Sequence, residues 1–170
     1  MSPTRSERGE DAAPPGPPDG AGPVLRTTPV SSAAHVQARL DLLLAQCRRR
    51  RSGLALLRVS IESVALPGTG VDVGAGMEQR VRQEVSNRIG NAVRGSDAVL
   101  RESDRETCVV LPGADASVAG RVGRRLERLV SGDYCVAGKL LQVAVRIGAA
   151  VHPEDGMRAP ELLHKAGAPE

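Results

Sequence analysis

The stretch that most constrains the fold is residues 94–113, RGSDAVLRESDRETCVVLPG. Two short apolar runs, 98–101 and 107–111, are separated by a charged turn, and Pro112-Gly113 closes the second run. Apolar runs of this length with turn residues between them are typical of two strands joined in a hairpin. The sequence therefore predicts an antiparallel hairpin over these residues.

Segments with the periodicity of amphipathic helices precede and follow this hairpin in the sequence. Apolar residues recur at helical spacing in three segments, and we expect helices over about 32–51, 77–93 and 115–129, with a short helix at 160–166. Ser31 or Ser32 can cap the first helix, and Asp115 or Ser117 the third. In the third helix, the residues expected to face inward are Val118, Val122, Leu126 and Leu129.

Further strands complete the predicted architecture. Residues 54–61 form a short apolar run between breakers, which is typical of a buried strand. Residues 133–156 are predicted to form another hairpin, because apolar side chains alternate from Leu141 to Ile147. The predicted order is α-β-α-β-β-α-β-β-α. This order indicates an α/β (α+β) sandwich with a mostly antiparallel central sheet flanked by helices.

Composition excludes several classes of function. The chain has one Tyr, no Phe and no Trp, and a net charge of only +3. Proteins that bind single-stranded nucleic acid stack bases on aromatic rings, so we expect no nucleic-acid partner. Cys47, Cys108 and Cys135 are far apart and have no C-x-x-C spacing. Neither a disulfide framework nor a zinc site is indicated, and we expect no metal or cofactor.

The first 29 residues differ in composition from the rest. They are rich in Pro, Gly, Ala and charge, and such a segment buries too little apolar surface to offset its ordering entropy. We expect a disordered tail over 1–29 and one domain over 30–167. No apolar run approaches a membrane span, and the N-terminus is not signal-like, so a cytoplasmic location is expected.

A run of four arginines, from Arg48 to Arg51, has two interpretations. It is either a patch for a phosphate or an acidic partner, or the solvated last turn of a helix, where cations suit the helix dipole. The second is favoured, because the helix must end before Ser52-Gly53.

Three further segments carry a resemblance to a known family. They are SGLALLRVSIES at 52–63, VVLPGAD at 109–115 and YCVAGKLLQVAVRIGAAVHPEDG at 134–156. In this order they resemble the first strand, the segment after the central hairpin and the late hairpin of the GGDEF domain. That domain is the fold of bacterial diguanylate cyclases, and the resemblance covers about residues 32–166. It implies a nucleotidyl cyclase-like fold.

The resemblance places the family's five-residue catalytic signature at the hairpin tip. The aligned residues are Ser103, Asp104, Arg105, Glu106 and Thr107. Only the glutamate matches. Two glycines in the family allow a phosphate to approach the backbone, whereas Ser103 and Asp104 add side chains and a negative charge. Arg105 puts a cation where the family has an acid.

The family's metal and guanine contacts are also altered. An aspartate that helps to hold two divalent cations aligns with Ser60, and the acid two residues later with Glu62. A hydroxyl is a poor Mg²⁺ ligand, and two-metal phosphoryl transfer needs several carboxylates. The guanine-reading run becomes residues 64–69, which contain no Asn or Asp. The resemblance therefore implies a domain without cyclase activity.

The resemblance also implies a second site of the family, whose residues are present in this sequence. Many members carry Arg-x-x-Asp five residues before the signature and bind the product, cyclic di-GMP, there. Arg94 and Asp97 stand at this distance from Ser103. The family's second arginine, on the following helix, aligns with Arg125, and Arg121 and Arg124 are nearby. Guanidinium groups bind guanine or phosphate, and a carboxylate accepts from guanine N–H groups.

Alternatives to this assignment exist. Arg101 and Asp104 also form an Arg-x-x-acid pair, but using them would misplace the LPG segment by seven residues. Arg94 and Asp97 would, without a ligand, be a helix-end ion pair worth about 0–1 kcal/mol.

Two functional hypotheses follow. The first is an inactive GGDEF-like domain that acts as a cyclic di-GMP receptor and signals by ligand-dependent association with a protein partner or a second copy. The second is an interaction module on the same fold that binds no nucleotide. The family's final helix continues past residue 166 with an Ala-Met-Tyr segment that is not present here, so we expect a shortened final helix.

Overall fold

Four helices and five strands follow one another in the predicted order within residues 32–168, the part of the chain that the computed structural model describes. The helices are α1 (Ala33–Arg50), α2 (Ala75–Ala92), α3 (Ala116–Val130) and α4 (Ala159–Gly167). The strands are β1 (Leu54–Ala65), β2 (Ala98–Arg101), β3 (Glu106–Pro112), β4 (Gly132–Val136) and β5 (Lys139–His152). The predicted tail over 1–29 lies outside the described residues. None of the four helices has the length and apolar character needed to cross a membrane.

The strands form one sheet in the order β2-β3-β1-β5-β4, and every neighbouring pair is antiparallel. Strand β1 is central and pairs along both edges. Its pairing with β3 runs from Leu54 opposite Pro112 to Ser60 opposite Glu106. The predicted fold class, an antiparallel sheet flanked by helices, is confirmed.

Alternation along β1 divides the core into two layers. Side chains of successive strand residues point to opposite faces of a sheet. Leu57 and Val59 accordingly pack with α2 and α3, whereas Leu54 and Leu56 pack with α1 and α4. Because aromatic rings are nearly absent, aliphatic side chains fill both layers. All four named side chains are at most 1% exposed.

The helix boundaries follow local chemistry. The side chain of Ser32 accepts a hydrogen bond from the backbone N–H of His35, and that of Asp115 accepts from Val118. These side chains satisfy N–H groups that have no partner inside the helix. The arginines Arg48–Arg50 occupy the last turn of α1, as the favoured interpretation predicted.

Two sequence expectations are wrong in detail. Strand β1 continues to Ala65 rather than ending at 61, because a bulge between Ile61 and Ser63 lets it stay paired with β5. Leu129 does not face inward: it is 39% exposed, and Val130 takes the buried position in the last turn of α3. Periodicity could not separate these two neighbouring apolar residues.

Helix α4 approaches β5 so closely that only glycine fits at position 148. A Cβ added to Gly148 would overlap the backbone carbonyl of Ala166. The close approach is what brings the end of α4 against the sheet, where Arg146 and Arg58 reach its carbonyl groups.

We expect Gly148→Ala to lower the free energy of unfolding by about 2 kcal/mol, because the backbone of α4 must move away from the sheet. The matched control is Gly76→Ala in α2, where an added Cβ meets nothing within 4 Å. The control should stabilise the chain by roughly 0.5 kcal/mol, since alanine is the better helix former. Urea unfolding followed by circular dichroism measures both values. Equal midpoints for the two variants would contradict the close packing.

Candidate ligand-binding site

A cavity of about 150 Å³ lies where α2 turns into β2, with α3 as its opposite wall. The α2–β2 turn contributes Arg94 and Asp97, and α3 contributes Arg125. The floor is formed by residues 111–114, the segment that follows β3. The fold therefore brings Arg125 of α3 to the two predicted ligand-binding residues of the α2–β2 turn, from which it is distant in the sequence.

The turn that carries Arg94 and Asp97 is fixed by two hydrogen bonds. The backbone N–H of Asp97 donates to the carbonyl of Arg94 over 3.0 Å. The backbone N–H of Arg94 donates to Oδ2 of Asp97 over 2.8 Å. Within residues 32–168 the two side chains form no ion pair, so the helix-end ion pair considered above is not present. The carboxylate instead contacts the backbone.

Arg125 reaches across from α3 to the end of α2. Its Nη2 donates to the carbonyl oxygen of Ala92 over 2.7 Å, which satisfies one of the carbonyls that a helix leaves without an internal partner. Arg94 and Arg125 are both exposed, and neither has an acidic partner among the described residues. The site thus offers two guanidinium groups and one carboxylate around one cavity.

The structure does not place Arg121 in this site. Arg121 lies one helical turn before Arg125, does not line the cavity, and its Nη1 is 3.4 Å from Oγ of Ser117 on the same helix. Sequence reasoning also missed two contributors, because Val118 and Val122 were assigned to the core alone. They are half-buried and line the cavity.

The hairpin tip, on which the signature was predicted to fall, has a different chemistry. The backbone N–H groups of Glu102 and Ser103 donate to the carbonyl of Glu106 over 2.9 and 3.2 Å. Oγ of Ser103 accepts from the N–H of Arg105 over 3.2 Å. Three backbone N–H groups of the tip, those of Glu102, Ser103 and Arg105, are therefore used within the turn. Thr107, the last residue of this segment, is buried in β3.

Arg58 on β1 was missed by the sequence reasoning and is central to this region. Its Nη2 lies 2.9 Å from Oε2 of Glu106 and 3.0 Å from Oε2 of Glu102. Ser60 is directly opposite Glu106, so Arg58 stands beside the position predicted to have lost its metal ligand. A single arginine inside the apolar run LALLRVSI was the available signal.

Two further acidic side chains, Glu78 and Glu62, also form ion pairs with arginines. Oε1 of Glu78 lies 2.7 Å from Nη2 of Arg105 and 3.2 Å from Nη1 of Arg82, and Oε1 of Glu62 lies 3.3 Å from Nε of Arg146. No group of three or more His, Cys, Asp or Glu side chains in residues 32–168 is arranged to hold a metal ion. The donor set therefore does not fit the pair of divalent cations that the resemblance associates with this fold.

Asp104 has an ion pair of its own. It lies 3.5 Å from Nη2 of Arg101, three residues earlier, and its side chain is largely exposed. Exposed pairs of this kind contribute little to stability. The Arg101/Asp104 alternative is therefore a local surface contact, away from the cavity.

The thiol of Cys108 on β3 has low reactivity. Burial, with the nearby carboxylate of Glu102 as the second cause, raises the pKa of its thiol to about 12. Its Sγ lies 3.7 Å from Oε2 of Glu102. At neutral pH the thiol stays protonated and is a poor nucleophile, because the thiolate is the reactive form.

This combination of antiparallel sheet, helices and hairpin defines a nucleotidyl cyclase-like α+β domain. The chain belongs to the GGDEF family: the family model for the diguanylate cyclase GGDEF domain matches residues 26–168. Among curated proteins, it is 27% identical over 124 residues to the cyclic di-GMP phosphodiesterase NbdA of Pseudomonas aeruginosa. That match covers 73% of this chain but only 16% of NbdA, so the chain spans a small part of the relative's length.

Solved structures share the fold. The GGDEF domain of YfiN, also called TpbB, from Pseudomonas aeruginosa superposes with a TM-score of 0.71 at 24% identity, covering 81% of this chain and 85% of that one. The GGDEF domain of DgcB from Caulobacter crescentus, solved in complex with cyclic di-GMP, gives a TM-score of 0.68 at 16% identity and covers 81% of each chain. The active GGEEF domain of a diguanylate cyclase from Vibrio cholerae gives 0.66 at 10% identity, covering 81% of this chain and 86% of that one. At these identities the likeness concerns the fold.

We expect Arg58→Met to lower the free energy of unfolding by about 2 kcal/mol, because it leaves two partly buried carboxylates without their counter-charge. The side chains of Arg58, Glu102 and Glu106 are 18%, 12% and 32% exposed, so solvent screening reduces the cost below that of a fully buried pair. The control, Arg146→Met, removes a more exposed ion pair and should cost less than about 1 kcal/mol. Chemical denaturation of both variants measures the difference. A smaller loss for Arg58→Met than for Arg146→Met would show that the arrangement is not a stabilising one.

Proposed function

We propose that this chain is a catalytically inactive GGDEF domain that binds cyclic di-GMP through Arg94, Asp97 and Arg125. Ligand binding would control its association with a protein partner or a second copy. The observation that carries the proposal is the convergence of these three side chains on one cavity. None of them is committed to an ion pair with another described residue.

The chemistry of the three groups suits a guanine nucleotide. A guanidinium can donate two hydrogen bonds to guanine O6 and N7 or to a phosphate. The Asp97 carboxylate uses Oδ2 to accept from the Arg94 backbone, and Oδ1 accepts no hydrogen bond from any described residue. Oδ1 is thus suited to accept from guanine N1–H and N2–H₂. Cyclic di-GMP carries two guanines, so one ligand can contact two protein surfaces.

The solved relative DgcB supports the same ligand. Its GGDEF domain has this fold and was solved with cyclic di-GMP bound. The curated relatives NbdA and MucR of Pseudomonas aeruginosa are described as enzymes of cyclic di-GMP metabolism. These names concern those proteins; for this chain they favour a cyclic dinucleotide over other guanine-containing ligands.

Inactivity is supported by the arginine contacts around the hairpin tip. Catalysis by two metal ions requires several carboxylates that converge on the cations. Here Glu102 and Glu106 converge on Arg58, while Glu78 contacts Arg105. Ser60 offers a neutral oxygen opposite Glu106. We therefore propose that the chain does not cyclise GTP.

A second candidate is an interaction module that binds no nucleotide. It is favoured by the size of the cavity, because about 150 Å³ is less than the 300–1,000 Å³ of typical small-molecule sites. Most of a cyclic dinucleotide would rest on the exposed arginines outside the cavity. Calorimetric titration with cyclic di-GMP separates the two candidates.

We expect calorimetric titration with cyclic di-GMP to give a dissociation constant in the micromolar range for the full chain. Arg94→Ala and Arg125→Ala should each weaken binding by about tenfold or more, since a hydrogen bond to a charged group is worth about 1.5–3 kcal/mol. Asp97→Asn should weaken it as well, because it removes the negative charge that attracts the guanine N–H groups.

The matched control is Arg124→Ala, which removes an exposed arginine of α3 that does not line the cavity. It should change the affinity by less than about twofold. Arg121→Ala should behave like this control. No heat at a ligand concentration of about 100 μM, or equal losses for Arg124→Ala and Arg94→Ala, would contradict the receptor proposal and favour the nucleotide-independent module.

We expect no cyclic product when the chain is incubated with GTP and Mg²⁺, because the acids of the hairpin region are held by arginines. Chromatography of the nucleotides after overnight incubation measures this, with the active Vibrio cholerae GGEEF domain as the positive control. Formation of cyclic di-GMP that Glu106→Gln abolishes would overturn the proposed inactivity. Such a result would leave the binding proposal intact.

A further inference from the structure

The outward face of α3 carries a concentration of positive charge. Its exposed arginines are Arg121, Arg124, Arg125 and Arg128. None of them forms an ion pair with a residue in the range 32–168. Six arginines elsewhere in that range each pair with an acid, namely Arg58, Arg82, Arg88, Arg101, Arg105 and Arg146, whereas Arg39, Arg48–Arg51, Arg80, Arg94 and Arg158 do not. The only acid within α3, Glu127, forms no ion pair with these arginines.

An open depression of about 430 Å³ lies on the same face, lined by Ala92, Arg125, Arg128 and Leu129. Its apolar part is formed by Ala92 and by Leu129, which is 39% exposed. A leucine exposed beside two arginines is the pattern of an apolar anchor point inside a charged rim. The depression is shallow, which suits one side chain of a protein segment rather than an enclosed small molecule.

Contacts between the two helices hold this depression in shape. Nη2 of Arg125 donates to the carbonyl of Ala92 over 2.7 Å, and Nη1 of Arg88 donates to the carbonyl of Leu129 over 3.3 Å. The Arg88 guanidinium in turn stacks 3.8 Å from the ring centroid of Tyr134. A surface that is already ordered loses less entropy when a partner binds.

We infer that this depression is a docking site for an acidic protein segment. In this arrangement an aliphatic side chain of the segment packs against Ala92 and Leu129, and its carboxylates pair with Arg125 and Arg128. Charge complementarity selects the partner, because the face presents unpaired guanidinium groups and an apolar centre. The inference rests on the association step of the proposed function and not on its nucleotide.

Nucleic acid fits this face less well. Binding of single strands depends largely on exposed aromatic rings, and the only Phe, Tyr or Trp side chain in the sequence is Tyr134, which is 1% exposed. A second copy of this chain would need an unpaired acidic surface. The acids of the neighbouring helix α2, Glu78 and Glu84, already contact arginines.

The test uses two fluorescein-labelled synthetic peptides of about 12 residues. One alternates aspartate pairs with leucine, and the matched peptide has serine in place of each leucine. We expect fluorescence anisotropy with the full chain, without nucleotide, to show binding of the leucine peptide and about tenfold weaker binding of the serine peptide. Affinity should fall as salt is raised, because exposed charge pairs are screened.

Arg128→Glu should weaken binding of the leucine peptide by about tenfold or more, since it replaces an attraction with a repulsion. The matched control is Arg49→Glu on α1, which packs on the opposite face of the sheet. It should change affinity by less than about twofold. Leu129→Ser should remove the preference for leucine over serine. Urea unfolding establishes that each variant is folded.

Equal affinity for the two peptides, or equal losses for Arg128→Glu and Arg49→Glu, would overturn the inference. A sedimentation experiment that shows a dimer disrupted by Arg128→Glu would replace the acidic segment with a second copy. Calorimetry with cyclic di-GMP on the same variants keeps the two proposals apart. Failure of peptide binding with normal nucleotide binding counts against the docking site alone.

Discussion

The pairing of β1 along both edges is the constraint on which the other features of the domain depend. A slip of one residue would move every side chain of the strand to the opposite face of the sheet. The observed register puts Ser60 between Glu106 of β3 and Arg146 of β5. It also turns Arg58 to the face of the sheet that packs against α1 and α4. The arginine can therefore meet the carboxylates of the hairpin only because this register is kept.

Two groups of arginines among the described residues have opposite electrostatic roles. Around the hairpin tip each acid is paired, so the region carries little net charge that a cation or a phosphate could use. On α3 and the α2–β2 turn the arginines have no acidic partners among the described residues. A partly buried ion pair such as Arg58–Glu106 adds little stability compared with an apolar core. Under the proposed function its consequence is chemical, because carboxylates paired with Arg58 are not free to bind a metal ion.

The sequence predicted the order of all nine elements of the described residues, because periodicity and breaker residues report burial directly. It also predicted the grouping of Arg94, Asp97 and Arg125, which depended on spacing from the hairpin. The role of Arg58 could not be predicted, since it arises from cross-strand register and not from local sequence. Arg121, which was predicted with them, lies one turn of α3 away and does not line the cavity. The sequence spacing alone could not show that Arg125 lines the cavity and Arg121 does not.

The hairpin tip and the candidate ligand-binding cavity lie at opposite ends of the same hairpin. The tip is formed by residues 102–105, and the cavity is bordered by the start of β2 and the segment after β3. At about 3.3 Å per residue, a strand as long as β3 separates them by roughly 20 Å. The ladder between them, from Ala98 opposite Val110 to Arg101 opposite Thr107, is held by buried residues of β3. Substitutions at the tip therefore leave the ladder in place, and the geometry at Arg94 and Asp97 does not depend on the chemistry at Glu106.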